Sequence, residues 1–190
     1  ILIVFVSVLP MVVEIVLNKR KAKAAAAARA IVGEDRLKSG GLVQAHGTGT
    51  PQNRVTESEI LSRTAGAFGI ESWPVAALKC YLGHSLGAAS GDQVTATLGI
   101  WQHGVLPGIS TVENFADDVR QENLAMSTVH REIDPKVSAY AIVNSKGFGG
   151  NNASATLLSP STTRRMLKAR YSDSQWSAWE KANEAVQEAQ

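Results

Sequence analysis

Short apolar runs that stop at polar, glycine-bearing loops restrict the fold of this chain more than any other feature. Leu42 to Ala45 runs into His46-Gly47-Thr48-Gly49-Thr50-Pro51, Val75 to Leu78 runs into Lys79, and Ala139 to Val143 breaks at Gly147-Phe148-Gly149-Gly150 before Ala153 to Leu158. Helix-length segments lie between them. One starts near Thr56 and places Val55, Ile60, Leu61 and Ala65 on one buried face, with Glu57 and Glu59 in its first turn, where the helix dipole favours acids. Another, rich in small residues, runs from Leu86 to Ile100. Strand–loop–helix alternation of this kind predicts a layered α/β architecture, and in such sheets chemistry sits where strands end.

At 190 residues the chain is one domain or part of a larger one. A composition 44% hydrophobic and 19% charged excludes global disorder. The single cysteine, Cys80, excludes an internal disulfide framework and a cysteine-rich metal site, so no metal is expected. It also suits a reduced, cytoplasmic setting. The net charge of +2 is split into clusters with no basic stripe interleaved with aromatics, which argues against nucleic acid as a partner.

Both ends of the chain are unusual. Ile1 to Leu17 is apolar apart from Ser7 and Glu14, carries Pro10 in its middle, and precedes Lys19, Arg20, Lys21 and Lys23. A membrane anchor with a basic flank is one reading, opposed by the short length, the charge and the breaker. A buried strand, Ile1 to Leu9, from a longer parent is the preferred one. Asn18 to Val32 reads as a helix ending at Gly33. Thr162 to Gln190 reads as a helical tail in which Trp176 and Trp179, three residues apart, pack it onto the domain. Its cluster Arg164, Arg165, Lys168 and Arg170 reads as a solvated face before a docking site for an acidic carrier.

Taken singly, the strand-end motifs leave alternatives open. His46, beside a Gly-Thr-Gly-Thr turn, is suited to hold a proton or to donate to an oxyanion, and equally to a structural role in a tight turn. A lysine ending a buried strand, as Lys79 is placed, is costly unless paired or functional. His84 precedes a helix that it could simply cap. Gly147 to Asn152 lacks the sixth-position glycine of a dinucleotide loop and joins two strand-like runs, so it reads as a hairpin.

In this order, however, Ala45 to Pro51, then Lys79 to His84 with Ser85-Leu86-Gly87-Ala88-Ala89, then Asn144-Ser145 and Gly147-Phe148-Gly149-Gly150 with Asn152-Ala153, resemble the C-terminal half of β-ketoacyl-acyl carrier protein synthases. The resemblance runs from about Ala30 to Leu158. It implies a thiolase-like fold, the C-terminal half of a layered α/β/α/β/α stack. An atypical N-terminal segment at 1–29 would precede a ketosynthase domain at 30–159, with an extra helical tail at 160–190. It implies a dimeric parent and a decarboxylative Claisen condensation between an acyl group on a cysteine and a malonyl thioester. His46 and His84 match the two catalytic histidines, Lys79 the supporting lysine, and Glu57 the family glutamate eleven residues after the first histidine. Thr48 and Thr50 match pantetheine-binding threonines, and Phe148 with Gly149 the gating and oxyanion segment. Acyl carrier protein and its malonyl and acyl thioesters are the implied partners. Substrates ride on phosphopantetheine or coenzyme A, with no separate cofactor.

The nucleophilic cysteine of the family belongs to an N-terminal half outside these residues, so this chain alone is expected not to form the acyl-enzyme. Cys80 is read as a packing residue. Lys146 replaces the usual aromatic, Asn151 a threonine, Arg54 an acid, and Gln93 stands where many bacterial members carry Glu. Three other readings compete. Thiolase is disfavoured because no cysteine follows Cys80. A non-catalytic chain-length subunit is disfavoured by retention of His46, Lys79 and His84. A membrane-tethered module would rest on Ile1 to Lys23 and the tail.

Overall fold

A computed structural model describes residues 21–147 and 151–189. The apolar run from Ile1 to Leu17, and Phe148 and Gly149, lie outside the described residues. Helix α1 occupies residues 21–32, followed by α2 (Glu34–Ser39), β1 (Gly41–Gln44), α3 (Pro51–Ala67), β2 (Trp73–Ala76) and the one-turn α4 (Lys79–Leu82). A 3₁₀ turn at Leu86–Ala88 leads into α5 (Ala89–His103). Then come β3 (Val105–Leu106), β4 (Leu124–Ala125), β5 (Arg131–Glu132), β6 (Tyr140–Lys146), β7 (Asn152–Leu158), α6 (Pro160–Lys168) and α7 (Asp173–Glu188).

The main sheet has the order β4-β2-β1-β6-β7. β1 pairs in parallel with β2 and β6, β2 in parallel with β4, and β7 returns antiparallel to β6. Four parallel strands, β4, β2, β1 and β6, therefore end at one edge of the sheet, and the segments following β1, β2 and β6 meet there. Helices cover both faces, which is why β1 is buried at every position and reads as an unbroken apolar run. Val43, Val75 and Ile142 face Ala24, Ala25 and Ala28 of α1 and Leu61 and Ala65 of α3. Leu42, Ala76 and Ala141 face Ile100 and Trp101 of α5. Each valine, leucine or isoleucine among them contributes about 1.5–3 kcal/mol by leaving water, each alanine less. Gly41 is fixed by close approach, since a Cβ there would meet the ring of Tyr140, whose hydroxyl donates to the Leu37 carbonyl at 2.9 Å.

Several boundaries differ from the expected ones. Helix α3 starts at Pro51, because Thr50 caps it by accepting from the Asn53 N–H at 3.4 Å and proline suits the first turn. Glu57 thus lies in the helix body, not its first turn, and Val55, expected on the buried face, is 42% exposed. Lys79 opens α4 beyond the end of β2 instead of ending a strand. The tail is two helices, because Ser172 and Gln175 form a reciprocal capping box that starts α7 afresh. Within it Trp176 is buried while Trp179 is 45% exposed, and the two rings lie against each other with centroids 4.9 Å apart. Arg164 of α6 lies over both rings and pairs with Glu180 at 2.8 Å, which removes it from the free basic cluster. The two-residue strands β3, β4 and β5 carry no signal at this length. No helix among the described residues is long and apolar enough to cross a membrane.

Candidate active site

His46 follows β1, Lys79 and His84 follow β2, and Lys146 ends β6, so neighbouring strands deliver all four to one rim. They line a cleft of about 920 Å³ together with Thr48, Thr50, Gly87, Ser90 and Asn152. The rings of His46 and His84 stand edge to face with centroids 5.1 Å apart and planes at 77°.

The backbone fixes which nitrogen of each ring carries the proton. The Lys146 N–H donates to His46 Nδ1 at 3.2 Å, and the Leu86 N–H donates to His84 Nδ1 at 3.0 Å. A nitrogen that accepts is unprotonated, so both neutral rings carry hydrogen on Nε2 and are donors there. Leu86 reaches His84 by adopting φ +55°, a left-handed backbone that costs a leucine about 1–2 kcal/mol. His46 is buried, and burial first, then the nearby Lys79, lowers its pKa to about 4, against a smaller opposing pull from Glu57.

Beneath His46 lies a buried carboxylate. Glu57 accepts from the His46 N–H at 2.8 Å, the Gly47 N–H at 2.9 Å and Asn53 Nδ2 at 3.0 Å, and also from Asn144 Nδ2. Gly47 reaches it with φ +60°, open to glycine at no steric cost. Burial alone would raise the Glu57 carboxyl, but Lys21, Lys146 and the two backbone N–H groups outweigh it and hold it near about 2. Lys146 Nζ donates to Asn53 Oδ1 at 2.8 Å. Lys21 is 3% exposed, and burial lowers its pKa to about 8 despite the attraction of Glu57. Burial likewise lowers Lys79, against Glu57 and Asp92, and its buried Nζ has no hydrogen-bond partner among the described residues. The result is a fixed anion under the first histidine, surrounded by cations whose charge spreads toward the cleft.

Gln93, fully buried on α5, ties the rim together. Its Nε2 donates to the carbonyl oxygens of Ala45 at 2.6 Å, Asn144 at 3.2 Å and Gln44 at 3.3 Å, spanning the ends of β1 and β6. Thr48 and Thr50 stand with hydroxyls 3.5 Å apart on the cleft wall. Cys80 is half-buried, its thiol pushed up by burial, with Sγ 3.9 Å from the Gly108 carbonyl.

Sequence reasoning named His46, His84, Lys79, Glu57, Thr48 and Thr50, and the fold brings all six to this rim or directly beneath it. Asn53 and Lys21 went unrecognised. The cap at Thr50 could have pointed to Asn53 as an inward-facing first-turn residue. Lys21 had no signal, lying in a lysine-rich run that reads as solvated. Among the described residues no cluster of histidine, cysteine and acids is arranged to hold a metal.

The chain is similar to known proteins. The family description "Beta-ketoacyl synthase, C-terminal domain" matches residues 15–113. The β-ketoacyl-acyl-carrier-protein synthase FabY of Pseudomonas aeruginosa is 48% identical over 168 residues, which is 88% of this chain and 26% of that protein. The 3-oxoacyl-acyl-carrier-protein synthase 1 of Escherichia coli K12 is 32% identical over 60% of this chain and 26% of its own length. The crystal structure of the P. aeruginosa ketosynthase FabY superposes with a TM-score of 0.83 at 48% identity, covering 86% of this chain and 25% of that one. A β-ketoacyl synthase from Burkholderia phymatum gives 0.54 at 28% identity, covering 72% and 33%. The chain thus spans about a quarter of the length of these curated relatives.

Proposed function

Given that this chain belongs to the β-ketoacyl synthase family, whose C-terminal domain it carries, we propose that it supplies the decarboxylating half of a condensing site in fatty-acid or polyketide synthesis. The observation that carries this reading is the pair of imidazoles lining an open cleft, ring centroids 5.1 Å apart, each held as an Nε2–H donor by a main-chain hydrogen bond to its Nδ1. Two neutral donors converge on one oxygen without bringing a formal charge, the demand made by a thioester carbonyl becoming an enolate.

In the proposed sequence the malonyl thioester carbonyl accepts from His46 Nε2 and His84 Nε2. The malonyl C–C bond to the carboxylate breaks, CO₂ leaves, and the electron pair is held as the enolate. That carbon attacks the acyl thioester on a cysteine supplied by a segment outside this chain, forming the new C–C bond and expelling the cysteine thiolate. Lys79, desolvated beside the rings, contributes positive potential where the enolate oxygen forms. Glu57 positions the His46 turn and touches no substrate. Thr48 and Thr50 offer hydroxyls to the amides of a pantetheine arm, and Phe148 with Gly149 is assigned to the acyl-thioester oxyanion. Acyl carrier protein delivers both thioesters, and the parent acts as a homodimer.

The test is ¹⁴CO₂ release from a radiolabelled malonyl thioester by the chain joined to its cysteine-bearing half. His46→Ala and His84→Ala should each reduce release by roughly 10²–10³-fold while leaving acylation of the cysteine measurable. Undiminished decarboxylation in either variant would sink the assignment.

A further inference from the structure

The turn that carries His46 has two sides. Its even members, His46, Thr48 and Thr50, line the cleft, whereas its odd members, Ala45, Gly47 and Gly49, line a second cavity of about 230 Å³ behind it. That cavity lies between α3 and the segment 109–126, and Leu61, Val75, Ile109, Val112, Phe115 and Met126 supply its carbon wall. Three of the polar residues it meets, Glu57, Ser58 and Arg54, are already engaged. Glu57 accepts from four donors, and Ser58 Oγ donates to the Arg54 carbonyl at 2.6 Å while accepting from the Arg120 N–H at 3.0 Å. Arg54 donates to both oxygens of Asp118, at 2.8 and 2.9 Å, and so clasps α3 to the covering segment at the rim.

A mostly apolar cavity with a few fixed polar groups at its edge has the character of a small-molecule site. Because a dry cavity of about 150 Å³ accommodates benzene, this one has room for about eight or nine carbons. We propose that it is an accessory binding site for the tail of a medium-chain acyl compound, with the polar head at the Arg54 edge. The site does not depend on the condensing reaction, since the chemistry of its wall would take such a chain whatever happens in the cleft. The Ala45–Gly49 turn runs between the two, and Asn53 lines both. An occupied cavity would therefore press on Gly47, whose N–H holds the Glu57 carboxylate.

Calorimetric titration of octanoate into the full 190-residue chain tests the proposal, with butyrate and hexadecanoate as length controls. Each buried methylene is worth about fourfold in affinity, so butyrate, four methylenes shorter, should bind about 250-fold more weakly than octanoate. Hexadecanoate should gain nothing over octanoate, because the cavity ends. Carbon-13-labelled octanoate should give contacts to the methyls of Ile109 and Met126 by nuclear Overhauser effect. Ala116→Phe, which fills the space, should weaken octanoate by at least about tenfold. If that variant fails to fold, the Overhauser contacts in the unaltered chain decide. S-octanoyl-pantetheine binding tighter than octanoate would assign the natural ligand as a thioester, and the reverse as the free acid. Contacts to Gly87 or Ser90 in the cleft instead, affinity still rising to hexadecanoate, or no saturable binding would each overturn the proposal.

Discussion

His46 and His84 meet edge to face at 5.1 Å, and each receives a peptide N–H on Nδ1. Nitrogen-15 spectra of the chain should therefore show both rings as the Nε2–H tautomer near neutral pH. His46 should remain uncharged until close to pH 4, the value to which burial and Lys79 lower it. An Nδ1–H signal for either ring would contradict the geometry.

Acid stability follows from the same residues. An unfolded His46 takes up its proton near 6.5, the folded one only near about 4. Stability is therefore undiminished above 6.5 and declines as pH falls from 6.5 toward 4, by at most about 3 kcal/mol. Glu57 acts lower down, its stabilising effect present above 4.5 and lost as pH falls toward about 2. Urea midpoints measured from pH 7 to 4 should fall, and His46→Gln should flatten that limb. Superimposable profiles for the two proteins would refute this assignment.

Glu57→Gln keeps the shape of the buried anion and removes its charge. The introduced NH₂ confronts a donor, and Lys21 and Lys146 lose the carboxylate that offsets their burial. A loss of about 3–5 kcal/mol in unfolding free energy is expected. A loss below about 1 kcal/mol would show that the carboxylate does not organise this rim.

Gln93→Glu aims a carboxylate at three carbonyl oxygens now served by an amide N–H₂ group. The expected cost is about 2–3 kcal/mol at neutral pH. The folded pKa of such a glutamate would be raised, so stability should recover as pH falls through that raised value toward the unfolded one. Equal penalties at pH 7 and pH 5 would argue against it.

Leu86→Gly relieves the left-handed backbone at an exposed position, where Leu86 is 68% accessible. Thermal unfolding should be unchanged or stabilised by about 0.5–1 kcal/mol, with the His84 tautomer preserved. A destabilisation above about 1 kcal/mol would mean that the leucine side chain, not its backbone, holds the loop.

The strands were legible in the sequence because β1, β2 and β6 are short, largely buried and followed by polar segments, although β2 stops at Ala76, short of the expected Leu78. The residues at their ends were legible for the same reason. What escaped was whatever depends on distant segments meeting. Nothing local distinguishes Lys21, which the fold buries near Glu57, from its exposed neighbour Lys23. Arg54 looked like a departure in isolation, yet it closes on Asp118, sixty-four positions away. The start of α3 was misjudged because apolar spacing was weighed above the Thr50-Pro51 cap, and the break at Ser172 because helix-forming residues flank it on both sides.

The donors to the two rings belong to the main chain at Leu86 and Lys146, and apart from proline every residue type supplies the same group. Ordinary drift in the neighbouring side chains can thus alter what the cleft admits without reversing the polarity of either imidazole. That polarity is written in the path of the polypeptide, beyond the reach of most single-codon changes.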